Sequence, residues 1–368
     1  MQAGHLWPHQ STKSLPMASR YVFSVPIGPG KQPRLHQTLA SLAAQPEPVR
    51  IAICHAGPEA EIAETLVPYR HIIAYERHGH DTGQSAAINE GWNALEGDVY
   101  GWLNADDALA PGALGAVSEL FSQNPEADIV CGQSIILNEH AHFTGLHPAV
   151  RAPDQDLFRS NTISQPSCFV KRDALFAEGL VREDLHYVMD WDLWVRLMSS
   201  NRKFAYTPQI LSSTLWDADT KTAKFNTARI KEIRQVVSRL NSPVTTAKTL
   251  IGHSLNKIEE YSALSSTFKR VRGLVESGSV RKSTYWGKEA QESVWTLDFF
   301  HYEALAKGIR FHFLSPAMRK IGIEASAPTE SSEKIVEVSA NLPPACIHKI
   351  TLCRQDGSAP DLDYVELI

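Results

Sequence analysis

Two adjacent carboxylates, Asp106 and Asp107, stand where an apolar run gives out in GDVYGWLNADDALAPGAL (97–114). Like charges side by side repel, so a positive partner is called for. One source is the helix that Pro111 opens, because acidic residues ahead of a helix favour the positive end of its dipole. The other is Mg2+ or Mn2+, a hard cation that one or two carboxylates hold together with phosphate oxygens and water. A third carboxylate, Asp190 in MDWDLWVRLMSS (189–200), shares a helix face with Leu193, Trp194 and Leu197. There it is either a cap or a functional group. Its neighbour Asp192 lies four residues before Arg196, the spacing of a structural ion pair. Weaker signals surround these. RHGHD (77–81) holds His78, His80 and Asp81, but two histidines two apart on a loop read as solvated side chains. GPGKQ (28–32) lacks both the first glycine spacing and the Ser/Thr of a phosphate loop.

The elements that must position these groups are legible in outline. Between residue 20 and about 137, strand-like runs (YVFSV 21–25, VRIAIC 49–54, HIIAY 71–75, DVYGWL 98–103, DIVCGQSIIL 128–137) alternate with helical ones. Leu35, Leu39 and Leu42 recur at helical spacing, Pro58 suits a first helical position, and Thr82 can cap a helix carrying Ala87, Ile88, Trp92 and Leu95. This alternation predicts a mostly parallel sheet flanked by helices. Ligands bind such sheets beyond the carboxyl ends of the strands, which puts Pro26, His55, Glu76 and Asp106–Asp107 along one edge. From 159 to 222 the pattern turns mixed, with a strong helix at 189–200 and two short strands, KFAYTP and ILSSTLW. Ile230, Ile233, Val237 and Leu240 mark a helical extension over 223–283 that ends in a linker, ESGSVRKS (276–283). KIVEVSA and HKITLC alternate with period two, predicting a small β-rich C-terminal unit over 284–368. Residues 1–19 read as a disordered lead.

The stretch ERHGHDTGQSAAINEGWNALEGDVYGWLNADD (76–107) resembles the inverting nucleotide-sugar glycosyltransferases of family 2. That family shows S-E-x-D-x-G-Q-S-x-A-I-N-x-G, about a dozen residues, then L-N-x-D-D. ISQPSCFVKRDALFAEGLVREDLHYVMDWDLWVRL (163–197) is similar to its acceptor segment and base-bearing helix. The resemblance implies a GT-A fold over 20–222, a nucleotide-diphosphate sugar donor, a glycan or lipid-linked sugar acceptor, and Mn2+ or Mg2+. It implies that Asp107 is the main metal ligand, that Asp106 assists it or binds donor, and that Pro26, His55, Glu76, Asp81, Gly83 and Asn89 serve the donor side. Asp190 becomes the general base, with Gln165 and Pro166 bordering the acceptor and Trp216 a stacking candidate. The chemistry is coherent. A Lewis acid stabilises the leaving diphosphate, a carboxylate takes the acceptor proton, and alignment with exclusion of water supplies much of the remainder. Two positions depart from the pattern. His55 stands where the family places an Asp that contacts the base. LWDADTKT (215–222) replaces R-x-H with Leu215 and Asp217, which leaves Asp217 as a metal-ligand candidate or a turn residue.

Bulk properties narrow the classes. With 368 residues, 43% hydrophobic, the chain can bury a sizeable core, and a net charge of −5 argues against a nucleic-acid surface. Five scattered cysteines read as reduced thiols of a cytoplasmic protein, with peripheral attachment to the inner face of a membrane left open. A catalytically impaired carbohydrate-binding or scaffolding protein on a transferase fold is the rival reading. A sugar nucleotidyltransferase lacks its Gly-rich, Arg-containing opening.

Overall fold

The computed structural model describes residues 20–147, 150–216, 227–261, 292–302, 305–324 and 327–368. In chain order the first half runs β1 (Tyr21–Ile27), α1 (Leu35–Ala43), β2 (Val49–His55), α2 (Ala63–Leu66), β3 (Ile73–His78), α3 (Gln84–Ala94), β4 (Val99–Trp102), β5 (Ala108–Leu109), α4 (Ala113–Gln123), β6 (Ile129–Leu137) and β7 (Phe143–Leu146). Then come β8 (Cys168–Lys171), α5 (Arg172–Ala177), α6 (Met189–Ser199), β9 (Phe204–Leu215), α7 (Thr227–Val237) and α8 (Pro243–Tyr261). The remainder is β: β10 (Val294–Phe300), β11 (Ala306–Phe313), β12 (Arg319–Ile323), β13 (Thr329–Ser331), β14 (Ile335–Leu342), β15 (Ile347–Arg354) and β16 (Leu362–Leu367).

The fold class is the one expected: α/β, with a large, mostly parallel sheet flanked by helices. β1 is buried at every position, as a central strand covered on both faces must be. It pairs in parallel with β2 and β4, and β3 adds in parallel outside β2. β8 then runs antiparallel to both β4 and β6, and β9 parallel to β6. One apolar cluster joins α1, α4 and the C-terminal strands to one face. A second, built on α3, α6 and α7, covers the other. In it Trp92, Trp102 and Trp194 form a ladder with ring centroids 5.3 and 5.8 Å apart, so Trp102 and Trp194 belong to the core.

Several elements differ from the sequence reading. The helix after Pro58 breaks into short turns and the four-residue α2, because Pro68 cannot donate the next helical hydrogen bond. Thr82 does not cap α3. Gly83 is the N-cap residue at φ +133°, a conformation open to glycine, and the Asp81 carboxylate accepts its N–H at 3.0 Å. KFAYTP and ILSSTLW are one twelve-residue strand, β9. In the helical extension Ile233 and Val237 are buried as expected, but Leu240 is 45% exposed. The predicted lead (1–19) and linker (276–283) lie outside the described residues.

The C-terminal strands form two antiparallel layers, β10–β15–β12–β13 and β14–β11–β16. The second is not free-standing. Val365 of β16 pairs with Phe143 of β7, so the layer continues the main sheet. Phe143 meets Phe299 edge to face at 5.3 Å across the junction.

Candidate active site

The acidic pair sits in a tight turn after β4. Asp107 N–H bonds the Asn104 carbonyl at 3.2 Å and its own carbonyl accepts from the Thr38 hydroxyl at 2.7 Å, so the turn is fixed from both sides. A relay leads into it from α3: Gln84 Nε2 donates to Asn104 Oδ1 at 2.7 Å, and Asn104 Nδ2 donates to Asp107 Oδ2 at 2.9 Å. The Thr214 hydroxyl and Leu215 N–H, at the end of β9, complete the donors on Asp107. All are neutral. Asp107 is only 2% exposed, and burial, followed by repulsion from Asp106, pushes its pKa up to about 8. Asp106 is half-buried and burial raises its pKa too, against the nearby Arg34 guanidinium. Among the described residues no lysine or arginine forms an ion pair with Asp107. The turn therefore carries a deficit of positive charge, and its ligands are oxygens.

The donor edge is in register: Ile27, His55 and His78 close β1, β2 and β3 side by side, with Pro26 one position and Glu76 two positions inside. His55 lies beneath this edge, not on it. Its side chain is fully buried, Nδ1 is 3.2 Å from His78 Nδ1, and Nε2 is 3.4 Å from Glu61 Oε2. Burial, then the neighbouring His78, lowers its pKa and keeps the ring neutral. Glu76 is held by Arg70 and by His78 Nε2 at 2.7 Å. Asp81 pairs with Arg77 at 3.2 Å and accepts the N–H of Gly83 just ahead of α3. Glu59, Glu76 and His78 are the one described group whose three ligand atoms lie within 4.8 Å of one another, and the Glu76–His78 hydrogen bond already occupies two of them.

The remaining motif residues hold the other wall. Asn89 clamps Val181 through both N–H and C=O (3.2 and 2.9 Å), and Ser85 bonds the Leu185 carbonyl at 3.0 Å. Asn89 thus fixes the segment entering α6. Gly91 lets α3 sit against β1 and β2, since an added Cβ there would fall 2.4 Å from Ser24 Oγ. At the start of α6, Asp190 is half-buried and accepts from Asn161 Nδ2 at 2.9 Å. Burial raises its pKa, against donation from Trp191 N–H and Asn161. Asp192 points the other way, fully buried among Arg196 (2.8 Å), Arg239 (2.8 Å) and Arg182 (3.6 Å). The ion pair expected with Arg196 is present, inside a larger cluster. Gln165 Nε2 donates to the Trp102 carbonyl at 2.7 Å, which hangs the acceptor segment with buried Pro166 on β4. Trp216 is 40% exposed, its ring 5.2 Å from His147. Asp217 lies outside the described residues.

Arg34, Thr214 and Asn161 went unnoticed in the sequence. None sits in a recognisable pattern, since each reaches its aspartate from a distant segment. Asn104 and Gln84 lay inside the quoted motifs, but the relay between them is visible only in three dimensions.

Residues 30–176 match the model of the family described as glycosyl transferase family 2. Over that segment the chain is similar to the family, and the α/β sheet flanked by helices, expected above, is the fold observed. It is a glycosyltransferase. The chain is 22% identical over 259 residues to an uncharacterized glycosyltransferase of Rickettsia typhi, covering 67% of this chain and 70% of the other. It is 31% identical over 127 residues to the O-antigen biosynthesis protein RfbC of Myxococcus xanthus, which is 34% of this chain but 10% of that one. Among solved structures, the mannosyltransferase PcManGT from Pyrobaculum calidifontis in complex with GDP-Man and Mn2+ aligns with 72% of this chain and 77% of its own at 12% identity, with a TM-score of 0.48. S. aureus TarS 1–349 in complex with UDP-GlcNAc aligns with 71% and 77% at 13% identity, with a TM-score of 0.47.

Proposed function

We propose that this glycosyltransferase moves a sugar from a nucleotide-diphosphate donor, with inversion at the anomeric carbon, to a hydroxyl of a glycan or lipid-linked acceptor. The observation that carries the reading is Asp107: a buried carboxylate beside a second carboxylate, supplied among the described residues only with neutral donors. A chain gains nothing in stability from such an arrangement. It fits a cation that arrives with the donor. Asp107 and Asp106 are the residues that would hold Mn2+ or Mg2+, with Asp217 a further candidate, and the all-oxygen donor set suits those hard ions. When bound, the ion supplies Lewis-acid stabilisation of the departing diphosphate.

The chain's own groups do the rest. Gln84 and Asn104 orient the Asp107 carboxylate. Pro26, Glu76, Asp81 and Gly83 shape the donor edge, with buried His55 supporting it from below, and Asn89 serves the donor side by anchoring the segment that enters α6. Asp190 takes the proton of the acceptor hydroxyl. Its raised pKa makes it a stronger base than an ordinary aspartate, and Asn161 keeps its Oδ2 in place. Gln165, Pro166 and Trp216 border the acceptor. The division into a catalytic unit over 20–222, a helical extension over 223–283 and a β unit over 284–368 belongs to the same reading. A cytoplasmic setting in polysaccharide assembly, with peripheral membrane contact, is part of it too. No described helix is long and apolar enough to cross a membrane.

A thermal-shift screen of UDP-, GDP- and dTDP-sugars with and without Mn2+ tests the donor side, and proton NMR of the first product tests the anomer. Stabilisation by a nucleotide sugar that depends on Mn2+, with an inverted product, supports the proposal. A retained anomer removes the direct-displacement role of Asp190.

A further inference from the structure

The junction between the catalytic sheet and the C-terminal strands is incompletely filled. One cavity of about 410 Å3 lies between the start of α4 and the outer face of β10 and β15. A smaller one of about 120 Å3 lies between the β6–β7 hairpin and the end of β10. They share Phe300. Their catalytic-domain walls are also consecutive, because Ala108 and Ser213, partners in the β5–β9 ladder, line the smaller cavity. Ala110 and Leu211, joined by a 2.8 Å hydrogen bond, line the larger. The two chambers thus form one seam, and it begins at the residue after Asp107.

The lining is of mixed character. Ala110, Pro111, Ile210 and Phe300 present apolar surface, while Gln209, Asp298 and Lys349 present polar groups. Asp298 and Lys349 face each other directly across the β10–β15 pair. Tyr302, which lines the smaller chamber, is 91% buried (9% exposed), yet its hydroxyl has no hydrogen-bond partner among the described residues. A buried hydroxyl without a partner is costly unless something brought in from outside completes it. Larger than a water site, the major chamber falls within the roughly 300–1,000 Å3 of small-molecule sites.

We propose that this seam binds an oligosaccharide segment of the acceptor, as a second carbohydrate site set against the catalytic centre. Sugar rings match the lining, since each offers an apolar C–H face and hydroxyls that both donate and accept. The identity of the ligand as carbohydrate rests on the transferase reading. Existence of the site rests on the cavity and the orphan hydroxyl.

The full-length chain, fluorescently labelled, is titrated against an array of defined tri- to hexasaccharides, and donor hydrolysis is measured on the same preparations. Wild type binds oligosaccharide. Ala116→Trp, which fills the larger chamber from α4, abolishes that binding. Tyr302→Phe, which removes only a partnerless hydroxyl and leaves the fold intact, weakens it about tenfold, the size of one lost hydrogen bond to a ligand. Donor hydrolysis stays at the wild-type rate in both. No binding by wild type, or equal binding by wild type and both variants, overturns the proposal. Loss of donor hydrolysis in wild type strikes the transferase mechanism instead, and the array still decides the seam.

Discussion

Two buried aspartates, Asp107 and Asp192, have nearly the same exposure, 2% and 0%, and opposite surroundings. Asp192 is enclosed by three arginines from three segments of the chain. Asp107 has an asparagine, a threonine, a backbone N–H and another carboxylate. Where a buried charge serves the fold, this protein neutralises it from within. Where the charge is left in deficit, the counter-charge has to come from elsewhere. The donor edge follows the first pattern, with Glu76 on Arg70 and Asp81 on Arg77, so unbalanced carboxylates gather at the β4 turn. Asp190 is intermediate, half-buried with a neutral partner and a raised pKa.

The comparison breaks most visibly at the two carboxylates themselves. Asp107→Ala abolishes Mn2+-dependent nucleotide binding and turnover, while Asp107→Asn raises the melting temperature of the metal-free protein above about pH 8, where the raised pKa lets the wild-type carboxyl ionise, by removing a buried charge. A fall in melting temperature with Asp107→Asn would mean that the charge is matched after all. Asp190→Asn lowers turnover by about two to four decades with donor affinity kept, and a variant with ordinary rates would remove Asp190 from the chemistry. Asp192→Ala leaves three arginines facing an emptied site and costs about 3–5 kcal/mol of stability, measured by denaturant unfolding. The donor affinity of the folded fraction should be unchanged.

Finer effects sharpen the contrast. The unprotonated form of Asp190 is the active one, so activity falls as pH drops through its pKa. Since burial raises that pKa, the acidic limb of kcat/KM lies above the ordinary aspartate value of about 4. Asn161 donates to the charged form, so Asn161→Ala moves the limb to still higher pH. A limb that does not move, or moves down, would show that Asn161 does not govern the proton on Asp190.

Much of this was legible in the chain. The five catalytic-domain strands and the order of the three motifs were readable because hydrophobic periodicity and local motif chemistry both act over short spans. Asp192's pairing with Arg196 was readable for the same reason, as an i,i+4 contact on one helix. What escaped depends on approach from a distance. Arg239 and Arg182 reach Asp192 across the fold, Thr214 reaches Asp107 from β9, and the role of Asn89 as a clamp on residue 181 spans 92 positions. Pattern placed His55 on the donor edge, but its burial beneath that edge follows from Glu61 and His78 closing over it. The joining of the C-terminal layer to the catalytic sheet through β16 and β7 left no local trace at all.

Isothermal titration of UDP and of GDP into the wild-type chain, first in Mn2+ and then after chelation, addresses the charge deficit at Asp107 directly. Nucleotide binding that appears with Mn2+, disappears with the chelator and is absent in Asp107→Ala is the predicted result. Equal affinity with and without the ion would contradict the assignment of the acidic turn as the place where cation and diphosphate meet.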